Sequence, residues 1–163
     1  MTVHLILWFD TQAEQAVHFY TGIFPNSKIG AILRYGKAGQ EIHRMPEGAV
    51  MVVAFELDGQ TFTALNGGPA FTFNEAISFQ VNCGSQEEID FFWEKLAAGG
   101  ATQAQQCGWL KDRYGASWQI VPVLLPQLLA DPDPEKSQRT MQALLKMKKI
   151  DLDQLKRAHA GHL

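Results

Sequence analysis

With 163 residues the chain is long enough for one domain with a real core and no dependence on disulfides. Its hydrophobic content of 46% and charged content of 19% are ordinary for a globular protein, and a net charge of −3 offers no basic field to a nucleic-acid backbone. No apolar run approaches the roughly 18 residues needed to span a bilayer, so neither nucleic acid nor membrane is an expected partner.

Val3 to Phe9 is an apolar run of strand length. Thr11 followed by Glu14 fits a helix capping box, threonine at the cap and glutamate three residues on. Ala13, Ala16, Val17, Tyr20 and Phe24 then recur at helical spacing until Gly22 and Pro25 end the pattern. Ser27 to Tyr35 reads as strand and Gly36 to Gly48 as a polar loop. Ala49 to Leu57 and Gln60 to Asn66 are strands joined by Asp58-Gly59, a hairpin signal because a type I′ turn needs positive φ twice. Gly67-Gly68-Pro69 opens a linker through Asn74.

The motif then begins again. Ala76 to Cys83 alternates, Ser85 and Glu88 form a second capping box, and Ile89, Phe92, Trp93 and Leu96 make a helical stripe. Gly99-Gly100 stops the helix, Thr102 to Cys107 restarts strand, and Trp109 to Pro122 reads as a hairpin turning at Gly115. Each half is therefore expected to be β-α-β-β-β. After Pro122 come three helical segments, the second begun by Asp133-Pro134 and carrying Met141, Leu144 and Leu145, the third carrying Leu152, Leu155 and Ala158. Met141 and Met147 read as packing residues. A tail of this length is too short for a core of its own and must dock on the main domain or on a second copy. The expected division is a domain over 1–125, with modules 1–66 and 75–125, and a helical extension over 126–163.

The stretches LWFDTQAEQAVHFYTGIFPNSKI, FTFNEAISFQVNCGSQEEIDFFWEKL, GWLKDRYGASWQIVP and TMQALLKMKKIDLDQL resemble the vicinal-oxygen-chelate superfamily of glyoxalase and bleomycin-resistance proteins, and within it the PhnB-like group. That group is also labelled demethylubiquinone methyltransferase-like. The resemblance implies an α+β fold in which two βαβββ modules form a curved mixed sheet around a cleft, with a C-terminal helical tail. It also implies four metal-ligand positions, falling here on His4, Phe62, Ala76 and Gln119. Phe62 and Ala76 have no donor atom and Gln119 offers a neutral amide, whereas a catalytic zinc-type site wants about three protein ligands. No metal and no cofactor are therefore expected. The methyltransferase label finds no glycine-rich turn between a strand and a helix to hold a nucleotide-like cofactor.

Alternation selects residues for a cleft wall. His4, Ile6 and Trp8 are expected to share it with Phe62, Ala64 and Asn66, and with Ser78, Gln80, Asn82, Ser117, Gln119 and Val121. Ile77, Phe79 and Val81 would pack under the second helix. His4 has two readings, a core-edge histidine bonded to backbone or a ligand contact. His4, Trp8, Phe62, Asn66, Ser78, Gln80 and Gln119 are the expected ligand-binding residues, suited to a small amphipathic or aromatic molecule. The function expected is small-molecule binding by a homodimer. The alternative is a lyase, isomerase or dioxygenase-like enzyme using another metal set or His4 as acid–base. Two unpaired cysteines, Cys83 and Cys107, both expected in strands, and the absence of a secretory leader pattern point to a cytoplasmic setting.

Overall fold

The computed structural model describes residues 3–162, which fall into two units, 1–73 and 74–163, each with its own sheet. In the first unit the order is β1 (Leu5–Phe9), α1 (Ala13–Ile23), β2 (Ser27–Arg34), a one-turn α2 (Gln40–His43), β3 (Val50–Leu57) and β4 (Gln60–Asn66). The sheet order is β1-β4-β3-β2, with β1 parallel to β4 and the other pairs antiparallel. The β3–β4 turn takes the expected geometry, Asp58 at φ 45° and Gly59 at 81°.

One face of this sheet is packed under α1. Leu7, Phe9, Val53, Phe55, Leu57, Phe62 and Ala64 are buried there with Ala13, Ala16, Val17 and Tyr20 from the helix. Phe55 and Phe62 stack across the β3–β4 pair with ring centroids 5.1 Å apart.

The first capping box does not form. The cap residue of α1 is Gln12, whose side chain makes no capping bond. The helix is closed from outside instead: the buried Asn66 accepts from the Ala13 N–H at 2.8 Å through Oδ1 and donates from Nδ2 to the Val50 carbonyl at 3.0 Å. A side chain 53 residues away does the work that Thr11 promised, and no local pattern announces it.

The second unit runs β5 (Phe79–Cys83), α3 (Gln86–Ala97), β6 (Trp109–Lys111), β7 (Ser117–Pro122), then α4 (Leu125–Leu129), α5 (Pro134–Leu144) and α6 (Leu152–Ala160). Its sheet order is β5-β7-β6. Here the capping residue acts as expected, Ser85 Oγ accepting from the Glu88 N–H at 3.3 Å. The expected strand over Thr102 to Cys107 is absent. Thr102–Ala104 is a short 3-10 turn, Gln106 makes a single bridge to Trp109, and Cys107 (φ 52°) and Gly108 (φ 84°) turn the chain. This module is thus β-α-β-β. The reason lies in the tail: the Cys107 and Gly108 N–H groups donate at 2.8 Å to the carbonyls of Met147 and Lys148. A sheet partner is replaced by a segment roughly 40 residues downstream.

The tail docks on its own unit. Val121, Leu125, Leu128, Ala143, Leu144, Met147, Ile150, Leu155 and Ala158 form one core. Ile150 seals it against Gly108, where a Cβ would sit 2.9 Å from Ile150 Cδ1 and from the Ile120 carbonyl oxygen. Gln86 ties the segment to α3, accepting from the Leu152 N–H at 2.8 Å and donating to the Ile150 carbonyl at 3.2 Å. On α5 the buried face is Thr140, Ala143 and Leu144, while Met141 and Leu145 lie exposed. Met147 packs as expected; Met141 does not.

Two substitutions separate the observed cap from the expected one. Asn66→Ala strips partners from a buried N–H and a part-buried carbonyl and should cost about 2–3 kcal/mol in urea denaturation. Thr11→Ala should stay within about 0.5 kcal/mol of the parent. Equal losses would mean that Thr11 caps α1 after all.

Candidate functional site

The face of the first sheet turned away from α1 carries the candidate site, and strand register fixes which side chains lie on it. Because Leu5 pairs with Phe62 and Leu7 with Ala64 across parallel strands, Phe62, Ala64 and Asn66 point to the helix side with Leu7 and Phe9. His4, Ile6 and Trp8 share the opposite face with Thr61, Thr63 and Leu65. The expected placing of the His4 and Trp8 side chains on one face with those of Phe62 and Asn66 is therefore corrected, while Phe62 itself still lines the hollow beside His4. Phe62 is a core residue and Asn66 a helix cap. A one-residue step in β4 reverses the side of every residue, and an apolar-polar alternation does not say which side is the cleft.

Across this open face run two rows. His4 Nδ1 lies 3.2 Å from the Thr61 hydroxyl, Thr61 pairs with Glu56, and Glu56 pairs with Lys28 in a 3.0 Å ion pair. His4 is thus exposed and bonded to a side chain, which differs from the expected core-edge histidine on backbone. The next row is small: Thr63, Ala54 and Gly30. Opposite Ala54, β2 carries two residues, Gly30 and Ala31, between the pairs Ile29–Phe55 and Ile32–Val53, which is a β-bulge. A hypothetical Cβ on Gly30 would lie 3.3 Å from the Ala54 carbonyl oxygen. The result is a hollow of about 270 Å³ with His4 on one rim and Lys28 and Glu56 on another.

At the far end of β1, Trp8 is half-buried and fully committed. Its Nε1–H donates to the Gly68 carbonyl at 2.8 Å, its ring meets Phe71 edge-on with centroids 5.0 Å apart, and its ring atoms lie so near Gly67 that a Cβ there would be 2.2 Å away. The linker glycine is therefore needed for close approach as well as for the break in pattern. His43 is not among the residues lining the hollow beside His4. Its ring packs on Tyr35 at 4.4 Å, its Nδ1 accepts from the Met45 N–H at 3.0 Å, and its Nε2–H donates to the Ala38 carbonyl at 3.2 Å.

In the second unit, register agrees with the expectation. Phe79, Val81 and Cys83 pair with Trp118, Ile120 and Pro122 on the α3 side, while Ser78, Gln80 and Asn82 share the other face with Ser117, Gln119 and Val121. Ile77 lies before the strand and is exposed, and Val121 belongs to the tail core. On the polar face Gln119 Nε2 donates to Ser78 Oγ at 2.8 Å, Gln80 Nε2 donates to Asn82 Oδ1 at 2.7 Å, and Lys111 pairs with Glu75. Hydrogen bonding from Lys111 holds the Glu75 carboxyl below its ordinary range. Burial pushes the Cys83 thiol up to about 11, so it is a packing residue with no thiolate to offer.

A sequence profile described as 3-demethylubiquinone-9 3-methyltransferase matches residues 1–121. The chain belongs to that PhnB-like family. Among solved structures, a PhnB protein of Bacillus cereus bearing the same methyltransferase name is 36% identical at a TM-score of 0.65, covering 76% of this chain and all of the other. A protein from Pseudomonas aeruginosa is similar at 18% identity and TM-score 0.57, over 75% and 97% of the two chains. A mutant FosX, the fosfomycin resistance protein of Listeria monocytogenes, complexed with Mn(II) and a dihydroxypropylphosphonic acid, is similar at 16% identity and TM-score 0.50, over 74% and 90%. The latter two are likenesses of fold, the glyoxalase and bleomycin-resistance fold. No curated protein matches the chain.

The residues of this PhnB-like chain do not fit a divalent metal of the kind the superfamily implies. The first unit offers His4, the neutral hydroxyls of Thr61 and Thr63 and the Glu56 carboxylate, which is committed to Lys28, and the second offers the hydroxyl of Ser78 and the amide of Gln119, already bonded to each other. No group of three His, Cys, Asp or Glu gathers among the described residues. Neutral hydroxyl and amide oxygens are weak ligands for a transition metal, and one imidazole does not supply the rest.

Among the described residues of the polar face, Ser117 carries a buried hydroxyl that is unspent. It is 2% exposed, and its Oγ has no hydrogen-bond partner among the described residues. An unsatisfied buried hydroxyl costs about 1–3 kcal/mol. Ser117→Ala is therefore expected to leave stability unchanged or raise it by about 1 kcal/mol in urea denaturation. A loss of about 2 kcal/mol would show that a water bridges the hydroxyl to a partner.

Proposed function

We propose that this PhnB-like protein binds a small amphipathic or aromatic molecule in the hollow beside His4, in a homodimer. The observation behind the reading is the bulged, small-residue centre of an otherwise well-filled sheet face. Thr63, Ala54 and Gly30 leave room of about 270 Å³, just below the usual range of ligand sites and fit for a small molecule. The rims differ in chemistry. His4 and Thr61 offer a hydrogen-bonding pair, and Lys28 a cation balanced by Glu56. A ligand with an apolar body and one polar or anionic group matches both. Trp8 closes the same face at its other end. Ser78, Gln80 and Gln119 form a separate polar surface of the second unit that we also assign to ligand contact.

The methyltransferase activity in the family's name is not the reading adopted. Gly67-Gly68 leads through turns and irregular chain to β5 and opens no helix, whereas a nucleotide-type cofactor is held by a glycine turn at a helix start. An enzymatic reading has one observation in its favour. His4 Nε2 makes no hydrogen bond among the described residues, so the ring could move a proton while Thr61 holds Nδ1.

Homodimerisation rests on apolar side chains left in water on the first unit: Ile6 is 64% exposed and Leu33 54%, both on the open face. The tail does not support it, since its buried apolar side chains are used within the chain. Two free cysteines, one buried and inert, suit the reducing cytoplasm we assign.

Ligand-observed NMR with a panel of substituted benzoates and phenols tests the hollow. Ala54→Leu fills its floor and should abolish binding, while Lys28→Met should weaken the benzoates about tenfold and spare the phenols. Hits that survive Ala54→Leu would sink the site, and new resonances growing with time would turn the reading to catalysis. Light scattering on the full chain should give twice the monomer mass, and Ile6→Glu with Leu33→Glu should reduce it to one. A parent that stays monomeric at micromolar concentration would refute the dimer.

A further inference from the structure

A second hollow, of about 370 Å³, opens in the first unit where the β1–α1 turn, the end of α2 and the glycine linker meet. It shares no lining residue with the hollow beside His4. Asp10 and Thr11 line it from the turn, Arg44 and Met45 from the loop, and Gly67 and Gly68 from the linker.

Its walls are held in place by named bonds. The Gly67 and Gly68 N–H groups donate to the Phe9 and Asp10 carbonyls at 2.9 and 3.2 Å, and the Gly68 carbonyl accepts from Trp8 Nε1. The linker is thus a fixed strip of backbone. On the loop side, the His43 ring is pinned through both nitrogens and lies tilted against Tyr35, whose hydroxyl donates to the Asn66 carbonyl at 2.6 Å. Arg44 follows directly in the left-handed region at φ 58°, closing α2 with its N–H on the Gln40 carbonyl at 2.9 Å. An arginine there is strained, and such strain concentrates at ligand clamps.

The charges on these walls are unspent. Among the described residues, neither the Arg44 guanidinium nor the Asp10 carboxylate forms a hydrogen bond or an ion pair, with each other or with anything else. Opposite charges lining one hollow yet held apart offer a complementary pair of anchors. Met45 adds an apolar, polarisable surface to the same lining, its Cε resting 3.8 Å from the Cβ position on Gly68. We propose that this hollow binds a small zwitterion of the α-amino-acid type. Its carboxylate lies on the Arg44 fork, its ammonium on Asp10, and its apolar side chain against Met45.

The test uses L-phenylalanine as probe, with 3-phenylpropanoate and phenethylamine as analogues carrying one charge each, titrated into the full-length protein. Trp8 is the optical reporter, since its indole N–H bonds the Gly68 carbonyl of the hollow wall. Phenylalanine should bind saturably at up to millimolar concentration and shift Trp8 emission, and each analogue should bind about tenfold or more weakly. Arg44→Gln and Asp10→Asn should each cost a similar factor, while Ala54→Leu, at the floor of the other hollow, should leave phenylalanine binding unchanged. Both variants alter exposed side chains, and circular dichroism matching the parent confirms that they fold. Absence of saturable binding overturns the proposal. So do equal affinity for 3-phenylpropanoate, which would mark a simple anion site, and binding lost in Ala54→Leu but kept in Arg44→Gln, which would place the probe beside His4.

Discussion

The buried amide of Asn66 holds the first unit together. It ends β4, closes the N-terminus of α1 and bonds the Val50 carbonyl at the start of β3, while its own carbonyl takes the Tyr35 hydroxyl. Four segments distant in sequence meet on one residue, and each contact is a hydrogen bond that water cannot replace at 5% exposure. Everything at that end of the sheet inherits its position from this point. The glycine strip follows Asn66 directly, Trp8 rests on that strip, and Tyr35 fixes the His43 ring.

The second unit has an equivalent fixed point of different chemistry. Asp112 is 2% exposed and accepts from the Tyr114 and Ala116 N–H groups and from Trp118 Nε1, at 2.8, 3.1 and 2.8 Å. Its carboxylate shapes the β6–β7 turn, with Gly115 at φ 86°, and locks the indole that packs on Phe79. In both units a buried polar group organises the backbone while the apolar side chains supply the driving force. Such groups are costly to bury and are stable only because every bond is made. The unpartnered Ser117 hydroxyl stands out against that background.

The open face of the first sheet follows from a bulge. Two residues of β2 against one of β3 bend the strand where Gly30 and Ala54 leave little side chain to fill the space. His4 and the Lys28–Glu56 pair stand around the gap because they occupy one cross-strand row.

The sequence by itself determined the elements whose signals are local. Asp58-Gly59, Ser85 with Glu88, Asp133-Pro134 and Gly115 each act where they stand, because a turn or cap is decided within four residues. The α1 and α3 stripes and the polar face of Ser78, Gln80 and Gln119 were legible for the same reason, period and composition agreeing over one element. Only the tertiary structure decided the rest. Which face of β4 meets His4 depends on a pairing register between strands some 57 residues apart, and so Phe62 and Asn66 went to the core while Thr61 and Thr63 reached the open face. The cap of α1 came from Asn66 and not Thr11, and the missing strand before β6 gave its hydrogen bonds to Met147 and Lys148. In each case two partners distant in the chain competed with a local solution, and packing, which no single stretch encodes, chose between them.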